Sequence, residues 1–360
     1  MIEVRPATAG DAVAWQALLG RCESGDFLHD WAWAEVATFD GQPQRRFVAE
    51  ESGELVGVAA AQVRRLPLGR AFWYVPHGPV LEYAHAEAGP RLRALVEGLR
   101  RAAGRERAIA VKLEPRVELG SAAAEAFEAL GLRHDPRTLQ VGQTRVLDLA
   151  DDDALLAGFD RDTRYAVRRA ERNGVTIRVV TDPADAGAID ALHALVLQTQ
   201  ARAGFPRPSL ERYRTAWRAL AGAGRASIME AWLANERLAA GMLILEGERS
   251  FYQFAGSRRE APGEAKHFAS SLLQWEMLRR ARSLGSRLHD LWGVAPAGAG
   301  PGHAWYGVGL FKKGFGGREV TWAGSWDVVV DPTWYRIRAM AATGRAAIGR
   351  VGRGGRSARG

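Results

Sequence analysis

One order of elements occurs twice in this sequence, and that repeat restricts the fold more than any other feature. Each half contains three strand-like segments, then a helix, then a further apolar strand. In the first half these segments span 45–51, 55–65, 71–81, 88–104 and 108–115. In the second half they span 226–233, 238–247, 250–257, 266–285 and 287–294, and the apolar residues of this second helix recur at a helical spacing. The repeat predicts two units of similar architecture.

Three antiparallel strands, a helix and a further strand, preceded by helices, form the layout of the GNAT acyltransferase domain. We therefore expect an α/β (α+β) protein with two tandem GNAT-like domains, each a mixed central sheet flanked by helices. A chain of 360 residues is long enough for both. The predicted ranges are 1–150 for the first domain, completed by a C-terminal strand at 318–330, then 151–317 for the second, and 332–360 for an amphipathic helix and a basic Gly/Arg tail.

The positive charge of the chain is concentrated at its C-terminal end. The formal net charge is +8, yet seven arginines and no acidic residue follow Asp331, so the first 331 residues carry only about +1. The isoelectric point of about 10.0 therefore says little about the folded body. The tail is suited to contact with RNA or anionic lipid, or is simply a solvated terminus.

Several classes of protein are excluded by composition. One cysteine, Cys22, excludes an internal disulfide and a cysteine metal cluster. The first residues lack the apolar segment of a signal peptide, and the longest apolar run, LAAGMLIL, is too short to span a bilayer. The histidines show no metal-ligand spacing, so we expect no metal. These features predict a cytoplasmic protein.

Six segments resemble, in the same order, blocks of one enzyme family. They read FLHDWAWAEV, YVPHGPVL, VKLEP, RDTRYAVRRAERNGV, LQWEMLRRARSLGSRLHDLWGV and GLFKKGFGG. The chain is similar over residues 27 to about 327 to the Fem family of peptidoglycan-bridge aminoacyltransferases, which are tandem GNAT-like proteins. Residues 195–220 run straight through where some members insert a coiled-coil arm, so this chain resembles the compact members.

The resemblance implies a function and its substrates. The expected reaction moves an amino acid from aminoacyl-tRNA to an amine of the peptidoglycan-precursor stem peptide, on a UDP-linked or lipid-linked muropeptide. It implies no cofactor beyond the aminoacyl-tRNA co-substrate. We also expect a monomer, with peripheral contact to the anionic inner surface of the plasma membrane.

The resemblance places the reactive lysine in the pair formed by Phe311 and Lys312. An aminoacyl ester is already activated, so the protein mainly positions two substrates and stabilises charge on the reacting oxygens. If this segment is helical, Val308, Phe311 and Phe315 share one face and Lys312 lies at its shoulder. We expect Lys312 to face a cleft and Lys313 to face solvent. The alternative for Lys312 is a solvated ammonium on an apolar stem.

Two carboxylates close the equivalent strands of the repeats, Glu114 in KLEP and Asp290 in LHDLWG. Each is a candidate to accept the proton of the attacking ammonium. Each could equally cap the following turn. The family usually has Asp where Glu114 stands, which changes its reach by one methylene.

A helix start and a strand supply the candidate substrate contacts. Thr163, Arg164, Tyr165 and Arg168 lie on the first turns of one helix, where the resemblance implies a site for muropeptide phosphates. The alternative is a basic, solvated helix face. Tyr252 and Phe254 alternate on a strand and should share one side, either toward substrate or toward the core.

Three other functions remain open from the sequence. An acyl-CoA-dependent GNAT N-acyltransferase would need a pyrophosphate loop, but the segment before the second helix reads REAPGEAKHFASS and lacks the Q/R-x-x-G-x-G/A pattern. A tRNA-dependent amide ligase of natural-product biosynthesis would use the same motifs. A non-catalytic RNA- or membrane-binding module would have no need of the LFKKGFGG block. The Gly-rich stretch before that block is predicted to be a loop beside the site.

Overall fold

The computed structural model of this protein describes residues 1–203, 209–260 and 263–340. The strands in this part of the chain are β1 (Ile2–Pro6), β2 (Gln44–Glu51), β3 (Glu54–Leu66), β4 (Arg70–His77), β5 (Val80–Leu81), β6 (Ala108–Pro115), β7 (Arg133–Asp135), β8 (Gln143–Asp148), β9 (Thr176–Val180), β10 (Ala226–Leu233), β11 (Glu236–Glu246), β12 (Arg249–Ser257), β13 (Leu288–Gly293), β14 (Arg318–Thr321) and β15 (Ser325–Val329).

The α-helices over the same residues flank two sheets. They are α1 (Ala12–Arg21), α2 (Ala34–Phe39), α3 (Ala88–Arg105), α4 (Ala122–Glu128), α5 (Asp152–Gly158), α6 (Arg161–Arg172), α7 (Ala186–Ala203), α8 (Leu210–Gly222), α9 (Ala269–Ser283) and α10 (Tyr306–Lys313). Among the described residues, none of the helices is both long enough and apolar enough to cross a bilayer.

The two sheets repeat one arrangement, which confirms the predicted mixed α/β architecture of two GNAT-like units. The first sheet has the order β1-β2-β3-β4-β6-β15-β7, and the second has β14-β8-β13-β12-β11-β10-β9. In each, three antiparallel strands lead through a helix to a strand that joins in parallel: β2, β3, β4 and then β6, or β10, β11, β12 and then β13. The predicted third strand at 71–81 is divided in the structure, where β5 pairs with β3.

The parallel strand pairs of the two sheets differ in length, and this difference positions the site. In the first sheet, β4 and β6 stay paired from Ala71 and Ala108 to His77 and Pro115. In the second sheet, β12 and β13 pair only from Arg249–Leu288 to Phe251–Asp290. Beyond that point the two strands diverge, so the second sheet opens at the carboxyl ends of both strands.

Strand order shows how the chain passes between the sheets. The C-terminal strand β15 pairs with β6 and β7 in the first sheet, whereas β8 and β14 pair with each other in the second. Thus the strand at 143–148 joins the second sheet although it precedes residue 150. The predicted domain ranges themselves stay a prediction, since sheet membership alone does not define a folding unit.

A helical segment at 332–340 covers the outer face of the first sheet. Trp334 and Tyr335 pack against Phe72 and Tyr74 there, and Arg338 lies 4.0 Å from the centre of the Phe72 ring. This agrees with a helix at the start of the predicted segment 332–360. The basic tail from residue 341 onward lies outside the described residues.

Candidate active site

The divergence of β12 and β13 opens a cavity of about 950 Å³. Both strands depart from regular geometry at this point. Phe254 of β12 and Trp292 of β13 have positive φ values of 48° and 64°, and the pairing of β12 with β11 shifts by one residue nearby. Such shifts interrupt a ladder and bend a strand. The cavity therefore follows from local backbone irregularity in both of the strands that border it.

Lys312 forms part of the cavity wall from the last turn of α10. Its side chain is 5% exposed, and its Nζ donates a hydrogen bond of 2.7 Å to the Gly293 carbonyl oxygen at the end of β13. The same Nζ lies 5.9 Å from the centre of the Trp305 ring. Lys313, one residue later, is exposed. Lys312 is thus buried and Lys313 exposed, as expected from the helical spacing and the family resemblance together.

The apolar face beside Lys312 fixes the direction of its side chain. Phe311 and Phe315 contact each other with ring centres 5.2 Å apart, and Phe315 also contacts Phe159. Phe315 is 1% exposed although it follows the helix end at Lys313. These contacts anchor one side of α10 in the core of the second sheet and leave Lys312 facing the cavity.

Burial changes the acid–base properties of Lys312. Removal of the ammonium from water lowers the pKa of Lys312 to about 7, and the nearby Asp290 carboxylate limits this fall. At neutral pH the group therefore exists in both protonation states. A lysine with such a pKa can donate a proton to an oxygen leaving group and can receive one at the same pH.

The rest of the cavity wall is aromatic and polar but uncharged. Its described residues, apart from Lys312, include no carboxylate, and they comprise Val196, Thr199, Gln200, Tyr213, residues 252–257, Ser270, Leu273, Trp292, residues 301–305, Gly307, Val308 and Phe311. The predicted Gly-rich loop thus borders the cavity through residues 301–305. The sequence analysis missed Thr199 and Gln200, although two adjacent polar residues in the apolar helix α7 were a usable signal.

A glycine allows Trp305 to close over the lysine. A Cβ at Gly293 would lie 1.8 Å from Cζ3 of Trp305, so any other residue would displace the indole. The same glycine supplies the carbonyl that accepts the Lys312 hydrogen bond. Sequence reasoning missed this arrangement because it depends on how the end of β13 packs against the residue before α10, which no local pattern registers.

Tyr252 and Phe254 both border the cavity, but they do not share one side of the sheet as their spacing predicted. Tyr252 packs with the core cluster that contains Leu243, whereas Phe254 packs with the cluster on the opposite face, its ring centre 4.6 Å from that of Tyr213. The prediction of a shared side was wrong because the positive φ of Phe254 reverses the alternation. Burial also raises the pKa of Tyr252 well above its ordinary value.

Asp290 lies behind the cavity wall and is held by three donors. Its Oδ2 is 2.6 Å from Nη2 of Arg116, and its Oδ1 accepts from the Thr144 hydroxyl and from the Trp292 backbone N–H at 2.7 Å. It is 2% exposed and does not line the cavity. In this structure Asp290 orients the strand end beside Lys312 and joins the two sheets through Arg116.

Glu114 occupies the equivalent strand of the first sheet, away from Lys312. Its carboxylate accepts hydrogen bonds from the Tyr74 hydroxyl and from the backbone N–H groups of Leu139 and Gln140. All three contacts are 2.8 to 2.9 Å long. These are the contacts of a turn-stabilising carboxylate, the alternative that the sequence had left open.

The start of α6 lies beside the end of α10 rather than in the cavity. Asp160 caps α6 by accepting from the Thr163 N–H at 2.6 Å, and its own N–H donates to the Gly314 carbonyl. A Cβ on Gly314 would lie 2.2 Å from the Thr163 hydroxyl oxygen. Thr163 therefore contacts the segment that carries Lys312.

The other predicted contacts of α6 point elsewhere. Nη1 of Arg164 donates to carbonyl groups at the end of α5, including that of Phe159. Tyr165 is 54% exposed and contacts Phe268, with ring centres 5.9 Å apart, and Arg168 is exposed. None of the four α6 candidates borders the Lys312 cavity. Their assignment to substrate phosphates stays a prediction.

Two family models match this chain. The model of the FemAB family matches residues 15–221. The model described as an acetyltransferase (GNAT) domain matches residues 157–301, which include β10 to β13. Among the residues described, no group of three or more His, Cys, Asp or Glu side chains is placed to hold a metal ion.

Individual proteins show the same relationship. The lipid II:glycine glycyltransferase of Staphylococcus aureus (strain MRSA252) is 29% identical over 216 residues, which are 57% of this chain and 50% of that protein. The chain thus matches half the length of this relative. The crystal structure of FemX superposes with a TM-score of 0.83 at 21% identity, over 93% of this chain and 99% of FemX. A tandem GNAT protein from the clavulanic acid biosynthesis pathway gives a TM-score of 0.53 at 16% identity, over 92% and 99% of the two chains.

Proposed function

Because this chain belongs to the FemAB family, we propose that it is an aminoacyltransferase that adds an amino acid to an amine of a peptidoglycan precursor. The proposed donor is an aminoacyl-tRNA, and the proposed acceptor is the stem peptide of a UDP-linked or lipid-linked muropeptide. The similarity to a lipid II:glycine glycyltransferase supports an acceptor of this class. With a lipid-linked acceptor the reaction would take place at the inner face of the plasma membrane.

The observation that carries this proposal is the placement of Lys312. Its amine is buried in the wall of a 950 Å³ cavity at the point where β12 and β13 diverge. A cavity of this size accommodates the reacting ends of two substrates but not the whole of either. The substrates would therefore extend out of the cavity in different directions, with their reacting groups meeting beside Lys312.

The transfer needs the protein to stabilise negative charge and to exchange protons with the reacting groups. The acceptor amine, in its neutral form, attacks the ester carbonyl of the donor, and a C–N bond forms while the bond to the ribose oxygen breaks. Protonated Lys312 stabilises the negative charge on the carbonyl oxygen and then supplies a proton to the departing ribose oxygen. The ammonium that forms when the amine attacks loses its proton to solvent or to the lysine once that is neutral. No covalent enzyme intermediate is required, since the ester is already activated.

The aromatic wall suits this chemistry because it excludes water. Trp292, Trp305 and Phe311 border the cavity around the lysine, so an ester bound there is protected from hydrolysis. In a medium of low polarity, the interaction of one ammonium with a developing oxyanion is also stronger than in water.

The experiment that tests the proposal offers the full chain a mixed pool of charged tRNAs together with each precursor. Products are identified by mass, with and without ribonuclease. We expect a precursor whose mass has increased by one amino acid residue, and we expect ribonuclease to abolish it.

The competing function is acyl transfer from acyl-CoA, which the match to an acetyltransferase (GNAT) domain brings into consideration. Acetyl-CoA is therefore offered in a parallel reaction without tRNA. If acetyl-CoA alone sustains transfer to the precursor amine while charged tRNA does not, the proposed donor is wrong.

A further inference from the structure

A second cavity, of about 830 Å³, lies at the opposite end of β12 and β13 from Lys312. It is bordered by Arg249 and Leu288 at the starts of these strands, whereas the Lys312 cavity is bordered by residues 252–257 and by Trp292. The paired stretch of the two strands separates the cavities. Residues of both sheets line the second cavity, and neither the family resemblance nor the proposed reaction assigns it a role.

The arginines on the solvent side of this cavity are already neutralised. Three ion pairs with N–O distances of 2.8 to 3.1 Å border it: Arg21 with Glu82, Arg287 with Glu248, and Arg318 with Glu118. All six side chains are more than a third exposed. Glu23 and Asp148, which also border the cavity, are exposed as well, so water screens their charge.

Arg249, deeper in the cavity, differs from these arginines. It is 6% exposed, and its Nε and Nη2 donate to the backbone carbonyls of Gly25 and Leu19 at 3.0 and 2.7 Å. It forms no ion pair with a carboxylate of the described residues, in contrast to the solvent-side arginines. Burial and the neighbouring Arg116 both lower the pKa of Arg249. The carboxylates of Glu246 and Asp26 oppose this fall, but neither forms an ion pair with Arg249 in the described part of the chain, so a bound anion would add a direct counter-charge to a buried cation.

Two further donors lie beside Arg249. Arg116 is 6% exposed, and its Nη2 is paired with Asp290. Its Nε has no hydrogen-bond partner among the described residues, the Asp26 carboxylate being 3.8 Å away. Its guanidinium lies 4.9 Å from the centre of the Trp322 ring, and the Trp322 Nε1–H likewise has no partner in the described part of the chain. Arg249, Arg116 and Trp322 all border the cavity.

We propose that the second cavity binds a nucleoside phosphate, with its phosphate group held by Arg249, Arg116 and Trp322. Phosphate oxygens accept several N–H donors at once, and guanidinium groups match their geometry. The half-buried ring of Tyr83, together with Trp322, offers an aromatic surface for the base. The cavity volume is in the range that accommodates a mononucleotide. The inference does not depend on the transfer reaction.

The test is isothermal titration calorimetry of the full chain with AMP, inorganic phosphate and adenosine. We expect saturable binding of one AMP, competition by inorganic phosphate, and no binding of adenosine at the same concentrations. Arg249→Met should weaken AMP binding by about tenfold or more, because it removes a charge-assisted contact from a buried site. Arg318→Met is the matched control, since that arginine is exposed and already paired, and it should change AMP binding by less than about twofold.

Two more variants keep the inference open to refutation. Lys312→Met should bind AMP as the unmodified chain does, and loss of binding there would place AMP in the first cavity instead. Trp322→Phe keeps an aromatic ring and removes one donor, which covers the case in which Arg249→Met fails to fold. Equal binding of adenosine and AMP, or unchanged AMP affinity in folded Arg249→Met or Trp322→Phe, would overturn the proposed site.

Discussion

Arg116 and Asp290 form a buried ion pair across the two sheets, with Nη2 and Oδ2 2.6 Å apart and both residues 6% exposed or less. The pair joins the end of β6 to the strand that borders the Lys312 cavity. Removing one partner of a buried pair leaves the other charge uncompensated, which typically costs about 3–5 kcal/mol.

We therefore expect Asp290→Asn to lower the free energy of unfolding by about that amount. Urea unfolding at pH 7 measures it. The control is Glu248→Gln, which removes the partner of exposed Arg287 and should cost no more than about 1 kcal/mol. If the two variants lose similar amounts of unfolding free energy, the pair of Arg116 and Asp290 stabilises the protein no more than an exposed ion pair does.

A second carboxylate at the sheet interface makes stability depend on pH. Burial, with the Asp30 carboxylate nearby, raises the pKa of Glu246 to about 8, against 4.5 for a solvated glutamate. Its Oε1 lies 3.3 Å from Nη1 of Arg225. The folded state therefore holds a proton on Glu246 that the unfolded state releases, and stability falls as pH rises from about 4.5 to about 8.

Glu246→Gln should remove this dependence. We expect the variant to be as stable as the unmodified chain below pH 4.5 and more stable at pH 8, because the amide carries no charge to bury. Thermal melts from pH 4 to 9 provide the measurement. If Glu246→Gln melts at a lower temperature than the unmodified chain at pH 8, Glu246 contributes to stability as an ionised partner of Arg225, and the prediction is wrong.

Lys312 should give the opposite pH dependence. Burial lowers its pKa from 10.5 to about 7, so between these values unfolding takes up a proton and stability rises with pH. Lys312→Met has no such group. We expect the variant to be more stable than the unmodified chain at pH 6 and this difference to shrink toward pH 10. Urea unfolding of both proteins between pH 6 and pH 10 measures this difference in the free energy of unfolding. A difference that does not change with pH would contradict the low pKa of Lys312.

The contact between Gly293 and Trp305 predicts the effect of one methyl group. Gly293→Ala would place a Cβ 1.8 Å from the Trp305 ring and displace the indole from the wall beside Lys312. A displacement of about 1 Å near a reacting group can cost about 10²-fold in rate. We expect kcat/KM to fall by about that factor and overpacking to lower the free energy of unfolding by about 1–3 kcal/mol. Gly302→Ala is the control, because a Cβ there meets nothing within 4 Å.

The repeated order of elements made most of the fold predictable from the sequence. Strands β6 and β10 span the predicted residues 108–115 and 226–233, since both are apolar segments bounded by turns. Helical spacing also placed Lys313 further toward solvent than Lys312, although it left open whether Lys312 faces solvent or a cleft. Each of these predictions rests on neighbours close in sequence, which a pattern can register.

The missed features depend on contacts between distant residues. The positive φ of Phe254 follows from the interruption of the β11–β12 ladder, so the alternation that placed Phe254 beside Tyr252 did not apply. Glu114 and Asp290 read alike in sequence, yet one holds the backbone of residues 139–140 and the other binds Arg116. Only the packing of the two sheets separates those roles.

The central claim is that Lys312 interacts with the reacting ester, and single-turnover transfer from a preformed aminoacyl-tRNA at saturating acceptor tests it most directly. Loss of a preorganised charge at a developing oxyanion typically costs about 10²–10³ in rate. We predict that Lys312→Met is slower by about that factor while thermal melts show it folded, and that Lys313→Met, which alters only an exposed lysine, keeps nearly the full rate. Equal rates for the two variants, or a loss in Lys312→Met that unfolding explains, would contradict the claim.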